Sequence, residues 1–212
     1  TGTASALMHL CGALICIIVP YLLGSINPAI LISKTVYHED IRDFGSGNAG
    51  TTNMLRTYGK KAAIATFALD LAKAAVAVIL GKLIWESDGG ALAGFFVVFG
   101  HMFPLYYRFR GGKGVTTIAS TIILMNPLWG ILAGVVGVGT IIVSGYLSVA
   151  AVVAMLFYTI ATAFTLPFDC ALISLFFTAL QVLTHWSKLQ GISTGTTHRA
   201  SLSTKFWAKF GR

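Results

Sequence analysis

The stretch LMHLCGALICIIVPYLLGSINPAILIS, residues 7–33, runs 27 residues without an Asp, Glu, Lys or Arg. A bilayer core about 30 Å thick is crossed by about 20 apolar residues in helical form, so this segment is long enough to span it. Asn27-Pro28 within it predicts a kink or helix break near its C-terminal end. Outward from it, apolar runs follow at roughly 62–85, 91–107, 115–125, 128–145, 146–165 and 169–187, separated by turn or charge signals. The run at 115–125 is short for a crossing and is followed by Asn126-Pro127, which suits a short tilted helix or half of a re-entrant pair. Composition agrees: of 212 residues 56% are hydrophobic and 10% charged, and the mean hydropathy is +0.80, outside the range of soluble domains. The expected fold is all-α, a polytopic membrane protein of seven transmembrane helices with the fourth short, in one domain over 1–212.

Charge sets the expected orientation. With the N-terminus outside and 115–125 counted as a crossing, the loops 34–61 and 108–114 and a basic tail over 188–212 share one side. That side holds thirteen of the fifteen bases, all but Lys73 and Lys82, while Glu86, Asp88 and Asp169 fall on the other. Such asymmetry follows the positive-inside rule, so the basic loops and the C-terminus are expected in the cytoplasm. The formal charge of +8 therefore reads as topology rather than nucleic-acid binding, for which no motif is present. The chain begins with Thr1 and lacks a basic leading segment, so a trimmed start is expected rather than a signal peptide. Cys11, Cys16 and Cys170 lie in or beside apolar runs without metal-type spacing and read as packing residues.

Between the first two runs lies DIRDFGSGNAGTTNMLRTYGKK, Asp40 to Lys61. Gly45, Gly47, Gly50 and Gly59 permit close backbone approach, Ser46, Asn48, Thr51, Thr52 and Asn53 supply neutral donors, and Arg42, Arg56, Lys60 and Lys61 add positive charge. The pattern suits an anion-handling loop at a membrane surface. A second loop, GHMFPLYYRFRGGKGVTT from Gly100 to Thr117, sets Gly111, Gly112 and Gly114 around Lys113 ahead of a helix N-terminus, where amides and an ammonium can meet a phosphate. It is not a Walker A loop, because Lys113 is followed by Gly114 rather than Ser or Thr. The bland alternative is a basic turn beside anionic headgroups.

Several ionisable groups lie in or near the spans. His101 is about 10 Å below the loop at 1.5 Å per residue, facing a wet cavity or satisfied within the core. Asp70 and Lys73, three residues apart, read as a local ion pair. Arg42 with Asp40 or Asp43 reads as a solvated loop pair. His38 and Asp43 have the H-x-x-x-x-D spacing of acyl-CoA-dependent acyltransferases, but none of that family's other blocks accompanies them.

Taken together, YLLGSINPAILISK (Tyr21 to Lys34), DIRDFGSGNAGTTNMLR (Asp40 to Arg56) and GHMFPLYYRFRGGKGVTT resemble the signature blocks of the bacterial acyl-phosphate-dependent glycerol-3-phosphate acyltransferases, the PlsY family. The resemblance runs from about residue 20 to residue 197. It implies transfer of a fatty acyl group from acyl phosphate to the sn-1 hydroxyl of glycerol 3-phosphate at the bacterial inner membrane, with no metal and no cofactor. Partners implied are the two substrates and membrane lipids; a monomer is expected.

By that resemblance Ser46 and Arg56 match the first block's critical serine and arginine, and Gly111, Gly112, Lys113 and Gly114 match a phosphate-binding block. The C-terminal block, RHR-x-NI-x-RL-x-x-G-x-E in the family, stands here as THWSKLQGISTGTT, keeping His185 and Gly195 but placing Lys188 for Asn and Thr197 for Glu. The expected catalytic set is Ser46, Arg56, Lys113, His101 and His185. The expected substrate-binding set is Gly45, Gly47, Asn48, Gly50, Asn53, Gly111, Gly112, Gly114 and Lys188. In the expected mechanism Arg56, Lys113 and loop amides hold phosphates, while His101, His185 or a substrate phosphate oxygen takes the hydroxyl proton. The alternatives are an inorganic-anion transporter or channel using the same loops, and a catalytically impaired homologue.

Overall fold

A computed structural model describes residues 2–166, 168–197, 199 and 200. Every regular element among them is helical: α1 (Gly2–Ser25), α2 (Pro28–Val36), α3 (Thr51–Tyr58), α4 (Lys60–Met102), α5 (Val115–Met125), α6 (Pro127–Ser144), α7 (Leu147–Thr165) and α8 (Phe168–Ser193), with 3₁₀ turns at Ile41–Asp43 and Leu105–Tyr107. Five spans are long and apolar enough to cross a membrane: Ala6–Val36, Lys60–Tyr107, Pro127–Ser144, Leu147–Thr165 and Cys170–Ser193. α4 is two helical arms joined at Trp85 and Glu86, whose φ/ψ values leave the helical region. With α1 and α2 taken as one segment and the arms of α4 counted separately, seven apolar segments result, the fourth being the 11-residue α5.

The chain packs as two compact units, Thr1–Met125 and Asn126–Arg212. In the first, glycines let backbones approach where lipid supplies no hydrophobic drive. A β-carbon on Gly24 would strike the Val97 carbonyl, one on Gly100 would strike the Tyr21 carbonyl, and Gly81 and Gly89 meet across the α4 hairpin. Polar side chains tie the same helices: Ser120 Oγ donates to the Leu71 carbonyl (3.0 Å) and Lys82 Nζ to the Leu124 carbonyl at the end of α5 (2.6 Å).

The break at Asn27-Pro28 is a helix restart. Asn27 Oδ1 accepts from Ile30 N–H (3.1 Å) as the cap of α2, and Pro28 occupies the first turn, where its missing N–H costs nothing. Asn27 is fully buried and its amide also donates to the Ala49 carbonyl (3.3 Å), so the break holds the loop that follows.

In the second unit, hydroxyl pairs join the helices: Thr159 with Thr178 at 2.8 Å and Thr162 with Ser174 at 3.1 Å. α8 ends later than the apolar run. It continues to Ser193, because the Gly191 carbonyl accepts from the amides of Thr196 and Thr197 (2.9 and 3.0 Å) and Gly195 takes φ +70°. Lys188 therefore lies on a helix rather than in a tail, and residues 201–212 of the expected basic tail fall outside the described residues. Cys16 is buried as expected, whereas Cys11 is exposed on α1.

Candidate active site

The Asp40 to Lys61 stretch contains a helix, α3, and is organised from inside by Asn53. Fully buried, Asn53 donates through Nδ2 to the carbonyls of Ile41 (3.1 Å) and Phe44 (2.9 Å) and accepts at Oδ1 from the Ser46 N–H (3.0 Å). Gly45 and Gly47 adopt φ +57° and +69°, and a β-carbon on Gly45 would strike Asn53 Oδ1. These bonds draw the chain into a tight turn that leaves Ser46 exposed and Asn48 half-buried. Asn53 thus acts as the scaffold of the turn, its bonds spent on backbone. Gly50 begins α3 with no side-chain cap, and the Thr51 hydroxyl is buried without a hydrogen-bond partner among the described residues. Arg56 stands exposed in the last turn of α3.

The second loop is laid back over the end of α4. Gly111 N–H donates to the Met102 carbonyl and Gly112 N–H to the His101 carbonyl, each at 3.1 Å. Two amides expected to face a phosphate are therefore committed to the loop's own anchorage. A β-carbon on Gly112 would strike Nε2 of His101 and lie 2.7 Å from the Ala49 carbonyl oxygen, so the GGKG and GSGN loops meet over the imidazole. Lys113 is half-buried beyond this contact, Gly114 has φ +77°, and its carbonyl accepts from Ile118 N–H as α5 begins.

Arg42 ties the loops a second time. Its guanidinium forms a fork on Asp40 (Nε to Oδ1 2.9 Å, Nη2 to Oδ2 2.7 Å), while Nη1 donates to the carbonyls of Tyr107 (2.9 Å) and Arg110 (3.2 Å). Hydrogen bonding from Arg42 holds the Asp40 carboxyl well below the usual carboxylate range, and the same pairing raises the guanidinium. It is a clasp between loops, more than the solvated pair that its sequence neighbours suggest.

His101 lies beneath these loops, not in them. It is buried, with Nδ1 2.9 Å from Lys73 Nζ and 3.1 Å from Asp70 Oδ1. Lys73 in turn lies 2.9 Å from Asp70 Oδ1 and donates to the carbonyls of Gly24 (3.0 Å) and Ile26 (2.9 Å), which the α1–α2 break leaves without helical partners. The Asp70–Lys73 pair exists as expected, and its further job is to satisfy that break. An Asn-Pro dipeptide flanking apolar turns, together with a lysine buried on the next helix, was the signal available for it. His101 belongs to this cluster and supports Gly112 from below.

The matching family model, "Glycerol-3-phosphate acyltransferase", covers residues 14–195. A glycerol-3-phosphate acyltransferase of Thermoanaerobacter sp. (strain X514) is 36% identical over 194 residues, 91% of this chain and 98% of the relative. One from Halalkalibacterium halodurans is 35% identical over 84% of this chain and 91% of its own length. The chain belongs to the glycerol-3-phosphate acyltransferase family.

A crystal structure of PlsY, described as an integral membrane glycerol 3-phosphate acyltransferase in its glycerol 3-phosphate form, superposes with a TM-score of 0.84 at 30% identity, covering 92% of this chain and 98% of that one. This family member is accordingly a multi-pass membrane protein. Of the remaining expected residues, His185 and Lys188 belong to the second unit. His185 is buried on α8 with Nδ1 3.0 Å from the Gln181 carbonyl, and Lys188 is exposed, its carbonyl accepting from Thr197 Oγ1 (2.8 Å). Thr197 thus helps to close the end of α8.

Proposed function

We propose that Ser46, Arg56 and Lys113 serve transfer of a fatty acyl group from acyl phosphate to the sn-1 hydroxyl of glycerol 3-phosphate, giving lysophosphatidate and inorganic phosphate. The observation that carries this reading is the meeting of the GSGN and GGKG loops at Ala49 and Gly112, which keeps the loops bearing all three residues in fixed register. Both substrates carry a phosphate near a double negative charge, so the cations neutralise what would otherwise repel. With the Gly111 and Gly112 amides committed elsewhere, phosphate binding falls to Arg56, Lys113, Ser46, Asn48 and the start of α3, which no side chain caps.

In the reaction the hydroxyl oxygen attacks the acyl carbonyl carbon. The carbonyl oxygen then carries the developing charge, and the carbon–oxygen bond to phosphate breaks. Phosphate leaves readily without an acid. His101 is enclosed by Asp70, Lys73 and Gly112, so we assign the hydroxyl proton to a phosphate oxygen of a substrate. The loops face the cytoplasm at a bacterial inner membrane, the N-terminus lies outside, and the protein acts as a monomer without metal or cofactor. Kinetics on purified protein test the residue roles: Arg56→Ala should raise KM for one phosphate substrate far more than for the other. Anion flux in proteoliposomes from protein with no acyl transfer would replace this reading with a transporter.

A further inference from the structure

At the Arg42 clasp of the two loops, on the first unit, a concavity of about 340 Å³ is lined by Lys34, Arg42, Tyr106, Tyr107, Arg108 and Arg110, and by none of Ser46, Arg56 and Lys113. We propose that this bowl is a separate phosphate site, taking the head group of an anionic lipid rather than either reactant. Its size lies at the lower end of ligand pockets, and its charge is unbalanced. Asp40 answers two of the four cations, Lys34 at 3.2 Å and Arg42 at 2.7 Å, and Asp43 adds a longer-range attraction on Arg42. Arg108 and Arg110 form no ion pair among the described residues.

The backbone beneath them is built at a cost. Arg108 and Phe109 take φ +56° and +58° in succession, a left-handed conformation unfavourable for side chains of this size. Phe109 N–H bonded to the Pro104 carbonyl (2.9 Å), Arg110 N–H bonded to the Tyr107 carbonyl (3.3 Å) and the Arg42 clasp hold it there. Glycine would relieve the strain, yet the turn keeps an arginine and a phenylalanine in it; such strain persists where a side chain's placement is useful. The flanking chain is amphipathic. Tyr106 and Phe109 are 53% and 56% exposed beside the arginines, and Lys34 stands next to exposed Val36 in the last turn of α2. Cations interleaved with exposed aromatic and aliphatic groups at the end of an apolar span suit the headgroup layer, where phosphate meets acyl chain. That mixture favours a membrane-borne phosphate over a soluble one.

The test reconstitutes the full chain in phosphatidylcholine nanodiscs with or without phosphatidylglycerol and reads retained lipid by native mass spectrometry. Wild type should retain phosphatidylglycerol. Arg108→Gln with Arg110→Gln should weaken that retention roughly tenfold or more, since each basic residue near a membrane surface contributes about fivefold. Phosphatidylcholine retention and basal acyl transfer should be unchanged. Lys34→Gln, in a separate protein, should give a smaller loss and guards against misfolding of the double variant. Equal phosphatidylglycerol retention by wild type and both variants overturns the proposal. So does variant-sensitive binding of inorganic phosphate without lipid retention, which would make the occupant a soluble anion. Acyl transfer is read separately, so failure here leaves the proposed reaction standing.

Discussion

Arg42 Nη1 lies 2.9 Å from the carbonyl oxygen of Tyr107, 65 residues further along the chain, while its other nitrogens grip Asp40. One planar guanidinium thus sets the distance between the two loops that carry Ser46 and Lys113. Lysine preserves the charge but not the fork. Arg42→Lys should therefore lower the melting temperature in detergent, by about 1.5–3 kcal/mol of stability for hydrogen bonds to a charged group, and reduce kcat with it. Unchanged melting and turnover would show that the clasp is incidental.

The same pair sets a pH dependence. Asp40 has its folded pKa depressed by Arg42, so its contribution is complete above the ordinary carboxylate pKa of about 4 and is lost as pH falls below that. The difference in melting temperature between wild type and Asp40→Asn should stay flat from about pH 8 to pH 5 and shrink below about pH 4. A difference that shrinks near neutral pH would contradict the assignment.

Asn53 holds three backbone groups of the GSGN turn with one side chain. Asn53→Ala leaves buried partners unsatisfied at about 1–3 kcal/mol each. The fall in kcat should exceed that expected from stability alone, because the turn presents Ser46. Turnover equal to wild type at a temperature where the variant is folded would remove Asn53 from the site.

Much of the architecture was legible because bilayer physics writes it plainly. Long apolar runs mark the spans, Asn27-Pro28 marks a restart, and WESDGG, Trp85 to Gly90, marks the α4 turn. α3 was hidden, since TTNMLRTY combines three threonines and an asparagine and has weak helical propensity; burial of Asn53 and Met54 makes it a helix. Gly111 and Gly112 were ambiguous in principle: the same glycines serve a phosphate cradle or a tight overlay, and only their carbonyl partners distinguish the two. Lys73 read as the partner of Asp70 because that contact is local, whereas Gly24 and Ile26 lie more than 45 residues away.

Gly112 should accept no side chain. Alanine there meets His101 and the Ala49 carbonyl, an overpacking that costs about 1–3 kcal/mol, and it pushes the GGKG loop away from GSGN. Gly112→Ala should lose about fivefold to 150-fold in kcat/KM, in line with that cost. Gly112→Ala with His101→Ala should recover part of it. No recovery would mean that the Ala49 contact alone sets the loop.

Removing Lys73 should cost more than removing the cluster. Lys73→Met strands two carbonyls and leaves the Asp70 carboxylate with only the His101 imidazole beside it, about 3–5 kcal/mol for a broken buried pair. Lys73→Met with Asp70→Asn should be milder than Lys73→Met alone, as thermal melting would register.

The central claim is acyl transfer between two phosphate-bearing substrates at the joined loops. Its most direct measurement incubates purified protein with acyl phosphate and labelled glycerol 3-phosphate and follows labelled lysophosphatidate. Wild type should form it and Lys113→Ala should lose nearly all of it. No product from wild type, or undiminished product from Lys113→Ala, would contradict the account.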